Sequence, residues 1–270
     1  MKNFINRFLR NFGYEFKSVK LLNTVTSKSY QSKGLIVEFV GVSGIGKTTF
    51  LNRISNQNLR EGWFLTKDLY RFHPAESLDS LKSINREQET VYRFMLNSVF
   101  DELIAKQEFP FSIKVDIFHY LINVVKYDVF MRNSSFPKGF MLDEGIVHNF
   151  AKEIVALYSL AKNGNFSLDE TVGLLFKNRA LVYLSASEDY IIGNLKKREN
   201  DQTAVINNWY PLLGNDRLTE FVREKILIAG QIFRIAGELN VPTLHLDVEN
   251  ENFDALSIKM HKFLSSVVPK

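Results

Sequence analysis

Apolar residues follow two alternating rhythms along this chain. Leu35-Ile36-Val37-Glu38-Phe39-Val40 is a β-rich run that stops at Gly41. Four more short apolar runs have the character of buried strands: Trp63 to Thr66, Phe140 to Leu142, Leu181 to Leu184 and Thr243 to Leu246. Longer stretches between them carry apolar positions three and four residues apart. In residues 77–107 these are Leu78, Leu81, Ile84, Val91, Phe94, Met95, Val99, Leu103 and Ile104, and residues 112–131, 146–162, 217–239 and 251–266 repeat the pattern. Strands that alternate with helices predict a mainly parallel five-stranded sheet covered on both faces, a three-layer α/β fold. There are no internal repeats and no low-complexity tracts.

The front of the chain has a different texture. Phe4, Ile5, Phe8, Leu9 and Phe12 recur at helical spacing, while Lys2, Arg7 and Arg10 interrupt any secretory apolar core. Residues 1–22 therefore read as a basic amphipathic helix. Its apolar stripe has two readings: it docks on the protein's own core or on another subunit, as in a homodimer, or residues 1–16 contact a membrane surface. The polar residues 23–34, rich in Ser, Thr and Lys, are the linker to a main domain spanning 35–270.

Composition narrows the chemistry. A chain of 270 residues with 45% hydrophobic and 24% charged residues can bury a core without covalent staples. With no cysteine, disulfides, thiolate metal sites and thiol nucleophiles are excluded. The net charge of +4 suits an acidic substrate, and the one dense basic run, Lys196-Lys197-Arg198, is too short to form a groove for a nucleic-acid strand. No apolar run approaches the ~20 residues that span a bilayer. The expectation is a cytoplasmic protein, peripheral to the membrane if the second reading of residues 1–16 holds.

The chemistry itself is carried by Gly41-Val42-Ser43-Gly44-Ile45-Gly46-Lys47-Thr48-Thr49. This is a phosphate-binding loop by spacing, with a strand before it and helical sequence after it. Glycines let the backbone curl until its N–H groups point inward at phosphate oxygens. Lys47 is a mobile point charge for the β- and γ-phosphates. The Thr48 hydroxyl suits Mg²⁺, and the following helix offers its positive end. Gly41, Ser43, Gly44, Ile45, Gly46, Lys47, Thr48 and Thr49 are thus the candidate nucleotide contacts. A second strand ends in Asp143-Glu144. If it lies beside the strand feeding the loop, Asp143 reaches the phosphates, where it holds Mg²⁺ or accepts a proton from an attacking hydroxyl. The alternative for Asp143 is a helix cap near Ile146.

Four segments resemble the P-loop nucleoside and nucleotide kinases, most closely the thymidylate kinase-like branch, over roughly residues 35–268. They are VEFVGVSGIGKTTFLNRI, GFMLDEGIVHNFA, ALVYLSASEDYIIGNLKKREN and the run from Thr219 to Leu264. The resemblance implies an ATP-dependent kinase with Mg²⁺ that passes the γ-phosphate to a hydroxyl or phosphate of a small-molecule acceptor, a nucleoside, nucleotide or sugar. It implies that Asp143 orients the acceptor and that Lys197 and Arg198 belong to a basic lid, where Lys47, Asp143 and Arg198 act together on the transferring group. The likeness stops at the acceptor. Thymidylate kinases carry an arginine after the acidic residue, and this chain has Glu144. They carry Arg-Glu-Pro after the second strand, and this chain has Lys67-Asp68-Leu69-Tyr70-Arg71-Phe72-His73-Pro74.

Arg71, Tyr70 and Glu144 are the candidate acceptor contacts. A carboxylate at 144 repels a phosphate and suits a hydroxyl, which tilts the expectation towards a nucleoside or sugar. The five histidines lack metal-ligand spacing. Two alternatives stand beside the kinase. One is a sugar or glycan kinase of bacterial surface-polysaccharide metabolism, since RFLRNFGYEFK resembles the starts of enzymes of that kind. The other is a P-loop ATPase or regulatory switch with no small-molecule acceptor.

Overall fold

The computed structural model describes residues 34–55, 62–69, 84–105, 109–133, 136, 138–165, 167–200 and 214–267. The N-terminal helix expected over 1–22 lies outside them, as do Tyr70, Arg71 and all of the linker except Gly34. Five strands form one sheet: β1 (Ile36–Val40), β2 (Trp63–Leu65), β3 (Gly139–Leu142), β4 (Arg179–Ser185) and β5 (Thr243–Asp247). Their order is β2-β3-β1-β4-β5, and every pairing is parallel. All five apolar runs read from the sequence are strands of this sheet.

The helices are α1 (Lys47–Ser55), α2 (Thr66–Leu69), α3 (Arg86–Ala105), α4 (Phe111–Asn133), α5 (Ile146–Asn149), α6 (Ala151–Lys162), α7 (Leu174–Phe176), α8 (Glu188–Asn200), α9 (Gly214–Glu238) and α10 (Phe253–Val267). Local chemistry starts several of them. Asn85 and Gln88 exchange side-chain-to-backbone bonds of 2.8 and 3.2 Å in a capping box before α3. The Asn252 amide oxygen accepts the Ala255 N–H at 2.9 Å before α10.

Two differences from the expected helices have local causes. The helix read over 146–162 is two, because Phe150 leaves helical geometry at φ −113° and ψ 27°. Its ring is completely buried in the core at that break. A π-helical turn at Asp169–Gly173, closed by a 2.8 Å bond from Gly173 N–H to the Leu168 carbonyl, leads into α7. It seats Val172 and Leu175 in the core without exposure.

Strand alternation splits the core between the two faces. Val37, Phe39, Val182 and Leu184 pack with residues of α1, α8 and α10, while Val40 and Leu181 pack with residues of α3, α4, α6 and α9. Glu38 interrupts this logic, because it sits fully buried in the middle of β1. Its carboxylate pairs with the Arg179 guanidinium, which also pairs with Asp128 of α4. Asp128 accepts Arg132 Nε and the Tyr92 hydroxyl, each at 2.7 Å. Arg132 in turn donates to the carbonyls of Leu174, Leu175 and Lys177. Two acids and two guanidiniums thus balance, and no buried side-chain polar atom among the described residues is left without a partner.

Burial pushes the Glu38 carboxyl up despite the Arg179 charge that opposes it. Asp128 is held low: burial opposes its ionisation, but two arginines and the Tyr92 hydroxyl outweigh it. Removing one member strands the others in a dry core. Arg179→Met should therefore lower the unfolding free energy by about 3–5 kcal/mol, read by chemical denaturation. A loss within a few tenths of a kcal/mol would mean that the network is not holding the sheet.

Candidate functional site

The glycine loop follows β1 at the carboxyl edge of the sheet, and α1 begins at Lys47. Gly44 and Gly46 adopt φ values of +91° and +101°, which side-chain-bearing residues rarely take. A Cβ at Gly44 would also stand 2.8 Å from Leu195 Cγ, so α8 packs directly on the loop. Asn194 on the same helix donates to the Gly44 carbonyl at 3.1 Å. The loop is therefore clamped between the sheet end and α8.

Lys47 is 5% exposed. Its ammonium donates to the loop's own carbonyls, at 2.9 Å to Gly41 O and 3.3 Å to Val42 O. Burial pulls its pKa down to about 8; Glu144 and Asp143 oppose that shift, and Arg198 adds to it. Lys47, Asp143, Glu144 and Arg198 thus share one electrostatic environment although they come from three separate places in the chain.

Asp143 gives the site its geometry. β3 lies beside β1, with Leu142 opposite Glu38, so Asp143 emerges next to the loop. Its Oδ2 accepts the Thr48 hydroxyl at 2.5 Å and its Oδ1 accepts the Thr66 hydroxyl at 2.5 Å. The Asp143 N–H returns to Thr66 Oγ1 at 3.1 Å. A capping role for the Asp143 side chain finds no support: α5 has Gly145 at its N-cap and no side-chain capping bond.

Glu144 is exposed, and its Oε2 accepts the Tyr120 hydroxyl of α4 at 3.0 Å. The following Gly145 has no room for a side chain, since a Cβ there would meet the Glu38 carboxylate at 2.4 Å. Glu38 also accepts the His148 N–H at 2.7 Å. The buried network therefore fixes the backbone that carries both acids. Burial, with Lys47 and Lys225 in support, pushes the His148 ring well down, so it is neutral near pH 7.

Ser43, Ile45 and Thr49 lie in or just after the loop as expected, with Ile45 buried and Thr49 exposed. Lys197 and Arg198 are exposed near the end of α8, one turn beyond Asn194. LKKREN is thus the last part of a helix and not a separate segment after one. Thr66, Tyr120 and Glu38 went unread in the sequence, since each gains its meaning only from strand and helix neighbours. Among the described residues, no cluster of three or more His, Asp or Glu side chains could cage a metal. One carboxylate beside one hydroxyl is instead the hard-oxygen set that holds Mg²⁺ when phosphates complete the shell. Thr48 and Asp143 fit that ion.

No family model and no curated protein matches this chain. Among solved structures, it is similar to deoxyadenosine kinase from M. mycoides with products dCMP and a flexible dCDP bound. That likeness has 16% identity, covers 86% of this chain and 100% of that one, and has a TM-score of 0.43. The same enzyme with bound dATP matches at 15% identity over 85% of this chain and 99% of that one, with a TM-score of 0.44. Thymidylate kinase from Candida albicans matches at 12% identity over 87% and 92%, with a TM-score of 0.41.

The low Lys47 value gives a pH test. With a pKa of about 8, Lys47 is charged at pH 7 and mostly neutral at pH 9, and only the charged form attracts phosphate. Affinity for a nucleoside triphosphate should weaken about tenfold between those two values, with Lys47→Met flattening the dependence. Equal titration curves for wild type and variant, measured by calorimetry, would remove Lys47 from the phosphate contacts.

Proposed function

We propose that this protein is a metal-dependent phosphotransferase that binds a nucleoside triphosphate, ATP, at the glycine loop. It passes the terminal phosphoryl group to a hydroxyl of a small molecule. One observation supports the reading above the others: Thr48, the neighbour of Lys47 in the glycine loop, bonds to the Asp143 carboxylate from the adjacent strand at 2.5 Å.

In this reading the loop amides and Lys47 hold the triphosphate. Mg²⁺, bound at Thr48 and Asp143, supplies charge neutralisation to the phosphate oxygens. The acceptor oxygen forms a bond to the γ-phosphorus as the bond from that phosphorus to the β–γ bridging oxygen breaks. The hydroxyl proton passes to Asp143, and the nucleoside diphosphate leaves with the electron pair. Lys47 and Arg198 offset the charge spread over the transferring oxygens, since positioning and electrostatics do most of the work in this chemistry. Arg198 acts on Lys47 as an unfavourable like charge, and an anion between the two relieves that repulsion.

The acceptor reading rests on Glu144. A carboxylate held by the Tyr120 hydroxyl at 3.0 Å repels an incoming phosphate but accepts a bond from an alcohol. This supports a neutral polyol, a nucleoside or a sugar, over a nucleoside monophosphate. Tyr70 and Arg71 remain candidates for the same acceptor on their sequence position after β2.

A phosphate-transfer screen over nucleosides, nucleotides and sugars, with bare hydrolysis as the control, tests the whole reading. Transfer to a hydroxyl acceptor, with slow hydrolysis in its absence, is the expected result. Hydrolysis that no acceptor diverts would mean an ATPase or switch. Lys47→Ala should lose most triphosphate affinity. Asp143→Asn should keep the nucleotide and lower transfer at least ~10²-fold; an unchanged rate would remove Asp143 from the chemistry.

A further inference from the structure

The Asp143 carboxylate is gripped from two sides, and only one grip comes from the glycine loop. The other is Thr66, the first residue of α2, directly after β2. β2 pairs with β3, Leu65 opposite Met141, so Thr66 and Asp143 leave adjacent strands at the same edge. The two residues are 77 positions apart in the chain.

Their hydrogen bonds are reciprocal. The Thr66 oxygen accepts the Asp143 N–H at 3.1 Å, and its hydroxyl donates to Asp143 Oδ1 at 2.5 Å. A threonine hydroxyl has one proton to give, so this arrangement spends it on Oδ1. With its backbone and one carboxylate oxygen both tied to Thr66, the Asp143 side chain is held in the setting that presents Oδ2 to Thr48. The start of α2 is itself anchored, because Asp68 Oδ2 accepts the Leu65 N–H at 3.0 Å. That is one half of a capping box.

The two threonines therefore have different duties. The Thr48 hydroxyl belongs to the loop that wraps the phosphates, and the oxygens it shares with Asp143 are the pair that fits Mg²⁺. Thr66 makes its side-chain hydrogen bonds with Asp143 alone, to its N–H and to Oδ1. We propose that Thr66 is the positioning residue of Asp143: its hydroxyl sets the direction of Oδ2 and so decides whether the carboxylate serves the metal and the acceptor. The transfer part of this rests on the phosphotransferase reading above; the orientation of Asp143 does not.

Thr66→Val removes the hydroxyl and keeps the shape, and Thr66→Ser restores the hydroxyl without the methyl. Turnover should fall about 10- to 100-fold in Thr66→Val, the usual scale for losing a group that orients a metal-binding side chain. The affinity for the nucleotide without metal should stay near wild type. Thr66→Ser should recover most of the turnover. A second readout needs no turnover: the gain in nucleotide affinity on adding Mg²⁺ should shrink by about tenfold in Thr66→Val and return in Thr66→Ser. In an Asp143→Asn background, Thr66→Val should add little further loss, because its effect passes through Asp143. Thermal melting of each variant, with Thr66→Ala as a smaller side chain, separates these effects from misfolding. Full turnover with an undiminished Mg²⁺ gain in Thr66→Val overturns the proposal, as does a Thr66→Ser variant as impaired as Thr66→Val. If the wild type transfers phosphate to no acceptor, the phosphotransferase reading fails, and the Mg²⁺-linked gain alone then decides the role of Thr66.

Discussion

A salt-bridged glutamate in the central strand organises this molecule. Glu38 has no exposure, yet it stands in the strand that feeds the phosphate loop, where an apolar residue would fill the space at lower cost. Burying a carboxylate is unfavourable by several kcal/mol unless its partners are close and complete. Here they come from three directions: Arg179 at the start of β4, the His148 N–H at α5, and, through Arg179, Asp128 of α4. A side chain with such demands leaves little freedom to its neighbours. β1, β4, α4 and the backbone after β3 must all be in place together, so polar satisfaction here specifies one arrangement of the elements that carry the site.

The link from that network to the chemistry is short. Tyr120 and Asp128 lie on the same helix, eight residues or about 12 Å apart at 1.5 Å per residue. The Asp128 end of α4 is locked to Arg179 and Arg132, and the Tyr120 end holds Glu144. On the other side, Gly145 lies so close to the Glu38 carboxylate that no side chain fits between them. The segment Asp143-Glu144-Gly145 is therefore bound at its start by Thr48 and Thr66 and in its middle by Tyr120, and at its end it packs against Glu38. Preorganisation of this kind is what phosphoryl transfer asks of a protein, because little reorganisation is left for the moment of reaction.

What could be read from the sequence follows from which signals are local. Each strand is a short apolar run ended by polar, proline or glycine residues on at least one side, so all five were legible without knowing their neighbours. The glycine loop was legible because its residues are contiguous and each has a separate physical reason. Asp143 was legible as the end of an apolar strand, although its partner Thr48 lies 95 positions away. Thr66 was not, because a threonine closing a strand is ordinary until β2 is known to lie beside β3. Glu38 was visible only as an exception to its run; its meaning required Arg179, 141 positions later. The break at Phe150 also escaped the pattern, since both halves of 146–162 keep helical spacing and only the burial of one ring separates them.

Two adjacent acids illustrate how position divides labour. Asp143 is buried, its oxygens taken up by two threonine hydroxyls, and it faces the loop. Glu144 is exposed and meets a single tyrosine hydroxyl. A carboxylate held rigidly among hydroxyls beside a lysine is suited to metal and proton work, since its geometry is set in advance. A carboxylate at the solvent boundary, with acceptor capacity to spare, is suited to discrimination, since it rewards a hydroxyl and penalises an anion. The single peptide bond between them turns Asp143 toward the glycine loop and Glu144 toward Tyr120 of α4. Under the proposed function, that turn of the backbone divides reaction from recognition, and the Glu38 carboxylate packs directly beneath it at Gly145.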